Sequence, residues 1–330
     1  MSRLTMSALA LLSEALKTSW SLFRITIPII ILVKLLAEAG VVEYFGVVLE
    51  PVMELMGLPG SMGLVWATAM IAGMYAGVAL FATLAPEAHL TGAQATVLAT
   101  VVLVAHSLPV ELRISQKAGA RLGVIAILRV MLALMIGWGL HQVYTHAGFL
   151  QEPSVALWSP PPKNPSWLAW AQNEVKNLLI IFLIIVALLF LMKVLERLGV
   201  TALLTRLLGP LLTTLGMSKA AAPITIVGLT LGFTYGGALI IQEARSGRLG
   251  GRDVFFSIAL MSFSHSLIED TLLMMALGGH PSGTLWARFL FSLLAVSLLV
   301  KLLRGIPDET FNRLLCPISF QAMGGERREA

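Results

Sequence analysis

Two short segments of the sequence place polar and ionisable side chains inside otherwise apolar surroundings. The segment VAHSLPVELR occupies 104–113, and SFSHSLIEDT at 262–271 repeats its His-Ser-Leu core and adds two acidic residues. Imidazole and carboxylate groups can bind a polar solute, coordinate a metal ion or exchange a proton near neutral pH. The candidate side chains are His106, Ser107, Glu111, His265, Ser266, Glu269 and Asp270.

Three kinds of chemistry can be weighed for these residues. A single buried histidine is usually bonded to a nearby carbonyl, but the same pattern occurring twice favours a functional site. A divalent cation could bind transiently to His106, His265, Glu269, Asp270 and the thioether of Met74, although no closed metal-site spacing is present. Catalysis is not expected, because neighbouring helical residues point in different directions and neither G-x-S-x-G nor H-E-x-x-H occurs.

The composition identifies the elements that must position these groups. The 330 residues are 57% hydrophobic and only 12% charged, with a mean hydropathy of +0.85. Apolar runs of about 20 residues recur, which predicts an all-α polytopic membrane protein. The net charge of +5 is therefore assigned to cytoplasmic loops, and no nucleic-acid partner is expected. The single Cys316 excludes an intramolecular disulfide and a cysteine metal cluster.

The chain is internally duplicated. His106 and His265 are 159 residues apart, and the same shift aligns Gly, Pro, Lys and Arg positions without a gap. We predict a first copy at 1–142, a Pro- and Trp-rich extracytoplasmic linker at 143–175, a second copy at 176–304 and a solvated cytoplasmic tail at 305–330. The matching pairs include Lys34 and Lys193, Pro51 and Pro210, Gly57 and Gly216, Gly73 and Gly232, Gly77 and Gly236, and Arg129 and Arg288.

Positive charge decides how the two copies face. Each copy has a long apolar segment (17–41; 176–200), a Gly-punctuated segment (61–85; 220–243), a His-Ser segment (91–117; 251–277) and a last span (120–141; 284–303). Four crossings per copy would give parallel repeats. Three crossings plus a re-entrant hairpin give inverted-topology repeats and gather the Lys and Arg residues on the cytoplasmic side, so we favour them.

The glycines of the predicted hairpins allow two interpretations. They could let the chain turn tightly inside the membrane, which requires surrounding protein or a polar cavity. They could instead be small residues at which helices pack closely. The charge pattern favours the first interpretation, in which the tips supply backbone dipoles to a binding site. These glycines are Gly73, Gly77, Gly232, Gly236 and Gly237.

The His-Ser segments should be interrupted near their centres. Pro109 predicts a break at 106–109 in the first copy, whereas Ile268 stands at the equivalent position and leaves the second break open. Without a break, His265 and Glu269 would share one helix face and could form a hydrogen bond.

Four further charged residues are secondary candidates. Glu111 and Asp270 correspond under the shift and could be interfacial, with Arg113 as the partner of Glu111. Lys34 and Lys193 are also equivalent, and we expect them to snorkel or to pair with a carboxylate such as Glu38 or Glu196.

Two stretches resemble a known domain. LEPVMELMGLPGSMGLVWATAMIAGMYAGVAL and LGPLLTTLGMSKAAAPITIVGLTLGFTYGGALII are similar to the nucleoside-recognition, or Gate, domain of spore maturation proteins A and B and of the gate of ferrous-iron transporter B. A more distant similarity is to concentrative nucleoside transporters. The resemblance covers both copies and implies a re-entrant hairpin and a broken helix in each, meeting at a central site.

The substrates of those families are not carried over. The nucleoside transporters have Gln-Thr-Glu after the hairpin glycine, where this chain has Met74-Tyr75-Ala76 and Phe233-Thr234-Tyr235. The Lys-Glu or Arg-Glu pair of the iron transporter is also missing, and no GTP-binding domain precedes the gate.

Three hypotheses follow from the sequence. The first is a secondary transporter of a small polar solute, nucleoside-like or other, with inverted repeats around a midplane site and a possible coupling proton or cation. The second is a divalent metal-ion permease using the same cluster. The third is a non-transporting assembly or maturation factor. The expected setting is a bacterial-type cytoplasmic membrane, with both termini cytoplasmic, no cleaved signal, and a possible homo-oligomer.

Overall fold

The computed structural model describes residues 41–155 and 166–317, together with individual positions between 13 and 39. The described chain is predominantly helical, as predicted, and a short π-helical turn, Ser282–Ala287, precedes the thirteenth helix. In chain order the helices are α1 (Val41–Glu54), α2 (Met62–Ala72), α3 (Met74–Ala88), α4 (Gly92–Val104), α5 (Leu108–Ala118), α6 (Leu122–Ala147), α7 (Trp167–Arg197), α8 (Val200–Thr214), α9 (Ala221–Leu231), α10 (Phe233–Arg245), α11 (Gly251–Ser264), α12 (Glu269–Ala276), α13 (Arg288–Leu303) and α14 (Asp308–Leu315).

Four described segments are long and apolar enough to cross a membrane. They fall on four of the six predicted spans, and α6 and α7 extend further into the predicted linker than expected. The predicted span at 17–41 lies mostly outside the described residues, and the one at 251–277 is divided between α11 and α12. The four segments are Gly92–Ala118, Leu122–Ala147, Trp167–Leu195 and Ser282–Leu303.

The second half repeats the local structure of the first. Helices α8, α9, α10 and α11 each begin 159 residues after α1, α2, α3 and α4. The unusual backbone positions repeat with the same shift, including two non-glycine residues with positive φ. These pairs are Gly57 and Gly216, Gly73 and Gly232, Ser107 and Ser266, and Gly119 and Gly278.

Each Gly-punctuated segment forms a helical hairpin. Gly73 alone separates α2 from α3, and Gly232 alone separates α9 from α10. Their φ/ψ values of 106°/164° and 100°/166° lie in a region that is essentially restricted to glycine. The two arms then fold back on each other: a Cβ at Gly77 would lie 2.6 Å from Ala69 Cβ, and one at Gly236 would lie 2.4 Å from Gly228 Cα.

Both interpretations of the glycines therefore apply, but to different residues. Gly73 and Gly232 make the turns, whereas Gly77 and Gly236 lie inside the second arms and allow close packing within each hairpin. Gly237 has a third role, because its position in α10 packs against Ile114 of α5, in the other half of the chain.

Both His-Ser segments are broken, including the one without proline. In the first, Ser107 adopts the left-handed conformation (φ 51°) before α5, and Pro109 lies in the first helical turn, where a missing N–H is tolerated. In the second, Ser266 has a φ of 45° before α12. The hairpins bind the freed backbone: Ser107 N donates to Ala69 O (2.9 Å), and Leu267 N donates to Leu229 O (2.8 Å).

Contacts between the halves define two ends of the molecule. At the first, the Tyr144 end, Tyr144 Oη lies 2.8 Å from Ser282 Oγ, and His280 N donates to Thr96 Oγ1 (2.9 Å). The chain entering the linker is bound here as well, because Ser154 N donates to Leu90 O at 2.8 Å.

At the opposite end, the Arg252 end, α14 connects the two halves. Arg252 lies over the Phe311 ring and forms a 2.6 Å ion pair with Asp308, while Arg121 N donates to Leu315 O at 2.8 Å. A cavity of about 650 Å³ lies beside α14, with lining residues that include Ala118, Gly216, Gly247, Arg252 and Asn312.

The expectation of a solvated tail is wrong for the part of the tail that the structure describes. Phe311 is fully buried and packs on Phe255 and Phe256, and Cys316 is buried as well. The amphipathic pattern of α14 allows this, since its apolar side covers the ends of neighbouring helices. Residues 318–330 lie outside the described residues.

Candidate binding site at the junction of the two halves

The two predicted histidines meet at the centre of the protein. His106 follows the end of α4 and His265 the end of α11, and their ring centroids are 5.0 Å apart at 64°. Each side chain is about 95% buried. Their meeting joins the two copies, which the sequence could predict only as equivalent positions.

Glu111 links both histidines. Its Oε1 lies 3.5 Å from His106 Nε2 and 3.3 Å from His265 Nε2. Its other oxygen contacts Nη1 of Arg129, whose Nε donates to Val104 O at 3.0 Å. Arg129 is fully buried, so this ion pair is shielded from solvent and is hydrogen bonded to the end of the broken helix.

The equivalent groups of the second copy are less completely paired. His265 Nδ1 lies 3.6 Å from Asp270 Oδ2, and Arg288 approaches Thr271 Oγ1 at 3.5 Å. Within the described residues, both ring nitrogens of His265, Oδ2 of Asp270, and Nε and Nη1 of Arg288 are buried without a hydrogen-bond partner. Such groups are unfavourable unless something satisfies them, which marks this side of the junction as a ligand-binding position.

Two predicted side-chain pairings are wrong. His265 and Glu269 do not share a helix face, because the break separates them: His265 faces Asp270, whereas Glu269 accepts a 3.5 Å hydrogen bond from Tyr75 of the first hairpin. Glu111 is not interfacial and does not pair with Arg113; it is buried against Arg129, and Arg113 donates to Gln116. Asp270 is also buried rather than interfacial.

The serines and the hairpin turns lie beside the histidines. A Cβ at Gly73 would lie 3.2 Å from Ser107 Oγ, and one at Gly232 would lie 2.8 Å from Ser266 Oγ. The first residue after the second turn, Phe233, packs edge-on against the His265 ring, with centroids 5.7 Å apart. Each turn thus contacts the break of its own half. Met74 follows the first turn and is buried.

The two lysines have surroundings of their own. Lys34 forms a 3.0 Å ion pair with Glu38, as predicted, and lies 5.6 Å from the ring centre of Trp167. Lys193 is half-buried in α7. The Glu196 side chain lies outside the described residues.

Sequence reasoning missed the two arginines as site residues. Arg129 and Arg288 are aligned by the duplication, but the alignment alone gives them no role. Both are fully buried, in α6 and at the start of α13. The available signal was a guanidinium in the middle of each predicted last span, at a depth where a charge requires a partner.

These features define a membrane protein of two similar halves, each contributing a helical hairpin and a broken helix to one buried polar cluster. The chain matches the profile of the Gate family, described as nucleoside recognition, over residues 19–131 and 178–281. It belongs to that family, which confirms the resemblance. It is also 28% identical over 276 residues, 82% of this chain and 86% of the relative, to the "Uncharacterized membrane protein YvoD" of Bacillus subtilis (strain 168). No solved structure matches the chain.

Proposed function

We propose that this Gate-family membrane protein is a secondary transporter of a small polar solute, with its binding site at the junction of two inverted repeats. The observation that carries the proposal is the cluster joining His106, Glu111 and His265 between the two halves. Buried polar groups at a repeat interface, beside broken helices, are the usual setting of a transporter site.

Contacts at the two ends support the inverted arrangement. The segment from Gly92 to Ala118 starts at the Tyr144 end and finishes at the cavity of the Arg252 end. Its counterpart, α11 and α12, starts at the Arg252 end and finishes before the turn that carries His280. Equivalent helices therefore run in opposite directions.

The last spans follow the same rule. Helix α6 starts after Arg121 and finishes at Tyr144, whereas its counterpart starts at Ser282 and finishes at Leu303, whose carbonyl accepts from Arg252. Opposite directions at every equivalent pair are what a pseudo-two-fold axis in the membrane plane requires.

The hairpins fit a re-entrant position. The first begins after Gly57, which accepts from Gln94 at 2.8 Å, and ends before Leu90, so both arms open at the Tyr144 end. The second begins at Ser218, which donates to Asp253 at 2.8 Å, and ends before Gly247 at the Arg252 end. Irregular backbone at the two turns is then buried in protein, as membrane depth demands.

The distribution of positive charge supports a cytoplasmic Arg252 end. This end carries Arg121, Arg252 and Arg313, which bind one another's elements through α14. The positive-inside rule places such an end on the cytoplasmic side of a bacterial-type membrane, and the Tyr144 end outside.

Labelling of single cysteines tests this topology. Cysteines are introduced one at a time at positions 87 and 246 in a Cys316→Ala background, and a membrane-impermeant thiol reagent is applied to intact cells. Position 87 is expected to react from outside, and position 246 only after the membrane is opened. Equal labelling of both positions from one side would reject inverted repeats.

Replacement of His265 by alanine tests the binding role. A thermal-shift screen of nucleosides, organic anions and divalent metals first selects a ligand, because a ligand stabilises the protein in proportion to its binding. We expect His265→Ala to lower uptake of that ligand into proteoliposomes by at least about tenfold, the effect of losing one buried polar contact. Membrane insertion and the melting temperature should change little.

His146→Ala is the matched control for this variant. His146 Nδ1 lies 2.7 Å from Gln142 O, four residues earlier in the same helix, but its side chain is exposed and distant in sequence from both breaks. Uptake by this variant should equal that of the unmodified protein. Unchanged uptake in His265→Ala would remove His265 from the site.

A second candidate function is a divalent metal-ion permease. One observation favours it: ligand atoms of His106, His265 and Asp270 all lie within 4.8 Å of one another. Metal uptake that is lost when both histidines are replaced would identify the ion as the transported substrate. A cellular function that survives both replacements would instead support the non-transporting factor.

A further inference from the structure

We infer that His106, His265 and Asp270 form a binding site for one divalent first-row transition metal ion of the zinc or cobalt type. The inference deepens the proposed function by naming a ligand class for the same cluster, and it rests on that function for the cluster's role. Metal binding itself does not require transport and can be measured on the purified protein.

The tautomer of His106 is fixed by the backbone. Its Nδ1 lies 3.0 Å from Val102 O, and because a carbonyl can only accept, Nδ1 must carry the hydrogen. A neutral His106 then presents the lone pair of Nε2 to the cluster. A ring nitrogen that donates to a carbonyl while the other faces inward is the usual arrangement of a metal-ligating histidine.

His265 has too few hydrogens for its neighbours. Its Nε2 faces Glu111 at 3.3 Å and its Nδ1 faces Asp270 at 3.6 Å, and neither forms a hydrogen bond. A neutral imidazole carries one hydrogen, so one nitrogen lone pair faces a carboxylate oxygen. Together with Nε2 of His106, acceptor atoms therefore converge in a buried space, and a cation bound among them would relieve the repulsion.

The spacing of the three ligands fits an ion after a small movement. Their ligand atoms lie within 4.8 Å of one another, whereas a tetrahedral ion with bonds of about 2.1 Å holds ligand atoms about 3.4 Å apart. Side-chain rotation can supply this difference. Two imidazoles and one carboxylate select zinc-like ions over magnesium or calcium, which prefer all-oxygen ligands.

The charges around the site admit a divalent ion. Glu111, Glu269 and Asp270 stand against Arg129 and Arg288, which leaves one negative charge when the histidines are neutral and the carboxylates ionised. Arg129 is bound to Glu111, and Arg288 forms no ion pair within 4.0 Å of a described carboxylate, so Asp270 remains free to ligate. A bound divalent ion reverses the sign of the net charge without enlarging it.

Metal binding by the full-length protein tests the inference. The protein carries a tag without histidines, is purified in detergent, treated with a chelator and titrated with Zn²⁺ or Co²⁺ against a Mg²⁺ control. We expect one Zn²⁺ per chain, visible ligand-field bands with Co²⁺ and no Mg²⁺ binding. Asp270→Asn and the double variant His106→Ala/His265→Ala should each weaken Zn²⁺ binding by at least about tenfold.

Controls separate this outcome from misfolding and from surface binding. Asp270→Asn keeps the size of the side chain, so a normal melting temperature with lost Zn²⁺ binding supports a direct ligand role. His146→Ala removes an exposed histidine and should bind Zn²⁺ normally. Equal Zn²⁺ affinity in the unmodified protein, Asp270→Asn and the double variant would overturn the inference, as would the absence of stoichiometric binding.

The metal inference and the transport proposal fail in different ways. A protein that binds one Zn²⁺ but moves no solute or ion across proteoliposomes would retain the metal site and lose the transport function. A protein that transports a solute through His265 but binds no Zn²⁺ would keep the proposed function and overturn the metal site.

Discussion

Replacement of Arg129 by methionine is expected to lower the free energy of unfolding by about 3–5 kcal/mol, more than any other single substitution proposed for this protein. Arg129 is fully buried, and its guanidinium is bound to Glu111 and to the carbonyl of Val104. Methionine fills a similar volume but leaves the Glu111 carboxylate buried without its counter-charge. Unfolding in mixed micelles with increasing dodecyl sulfate, followed by circular dichroism, measures the difference.

Arg288→Met is the internal comparison, because Arg288 occupies the equivalent position without a close carboxylate. Its nearest described polar contact is Thr271 at 3.5 Å, and two of its nitrogens are unpaired. Replacing such a charge by an apolar side chain is often neutral, so a much smaller loss is expected. The double variant Glu111→Gln/Arg129→Met should recover part of the loss. Equal destabilisation by the two arginine variants would contradict the ion-pair explanation.

Gly232→Ala is expected to lower stability by about 1–3 kcal/mol and to reduce ligand binding at the cluster. The glycine has a φ of 100° and a ψ of 166°, which alanine adopts only with strain, and the added Cβ would lie 2.8 Å from Ser266 Oγ. The hairpin turn and the break beside His265 should shift together. Gly73→Ala should behave similarly but more mildly, because its Cβ would lie 3.2 Å from Ser107 Oγ.

Gly139→Ala is the control for both hairpin variants. Gly139 lies within α6, and a Cβ there would meet nothing within 4 Å. Alanine favours a helix by up to about 1 kcal/mol over glycine, so stability should stay constant or rise. Melting temperature and Zn²⁺ binding are measured for all three variants. A Gly232→Ala protein that behaves like Gly139→Ala would show that the turn tolerates a side chain.

The sequence predicted the parts of the site better than their contacts. Apolar run lengths identify a helical membrane protein, and the fixed shift of 159 residues identifies equivalent histidines, serines and glycines. Pro109 predicts the first break for a reason that the second copy does not share. In the structure both breaks coincide with a backbone hydrogen bond from the broken segment to its hairpin, which a local sequence signal cannot reveal.

The contacts that join the halves depend on tertiary packing. Glu111 has a nearby arginine in sequence, Arg113, and a distant one, Arg129, and only the packing of α5 against α6 selects the second. Likewise, His265 has acidic residues four and five positions later, and helical spacing favours Glu269. Because the helix ends at Ser264 and restarts at Glu269, the actual neighbour is Asp270.

The unequal lengths of two side chains have a consequence for the resting conformation of the proposed transporter. Two identical inverted copies would make the inward- and outward-open forms equivalent in energy, so that neither would predominate. Glu111 is one methylene longer than its counterpart Asp270, and it reaches the histidine of the opposite copy, whereas Asp270 contacts only the histidine of its own. That single methylene breaks the equivalence, and exchanging the two residues should reverse which side of the membrane the empty protein prefers to face.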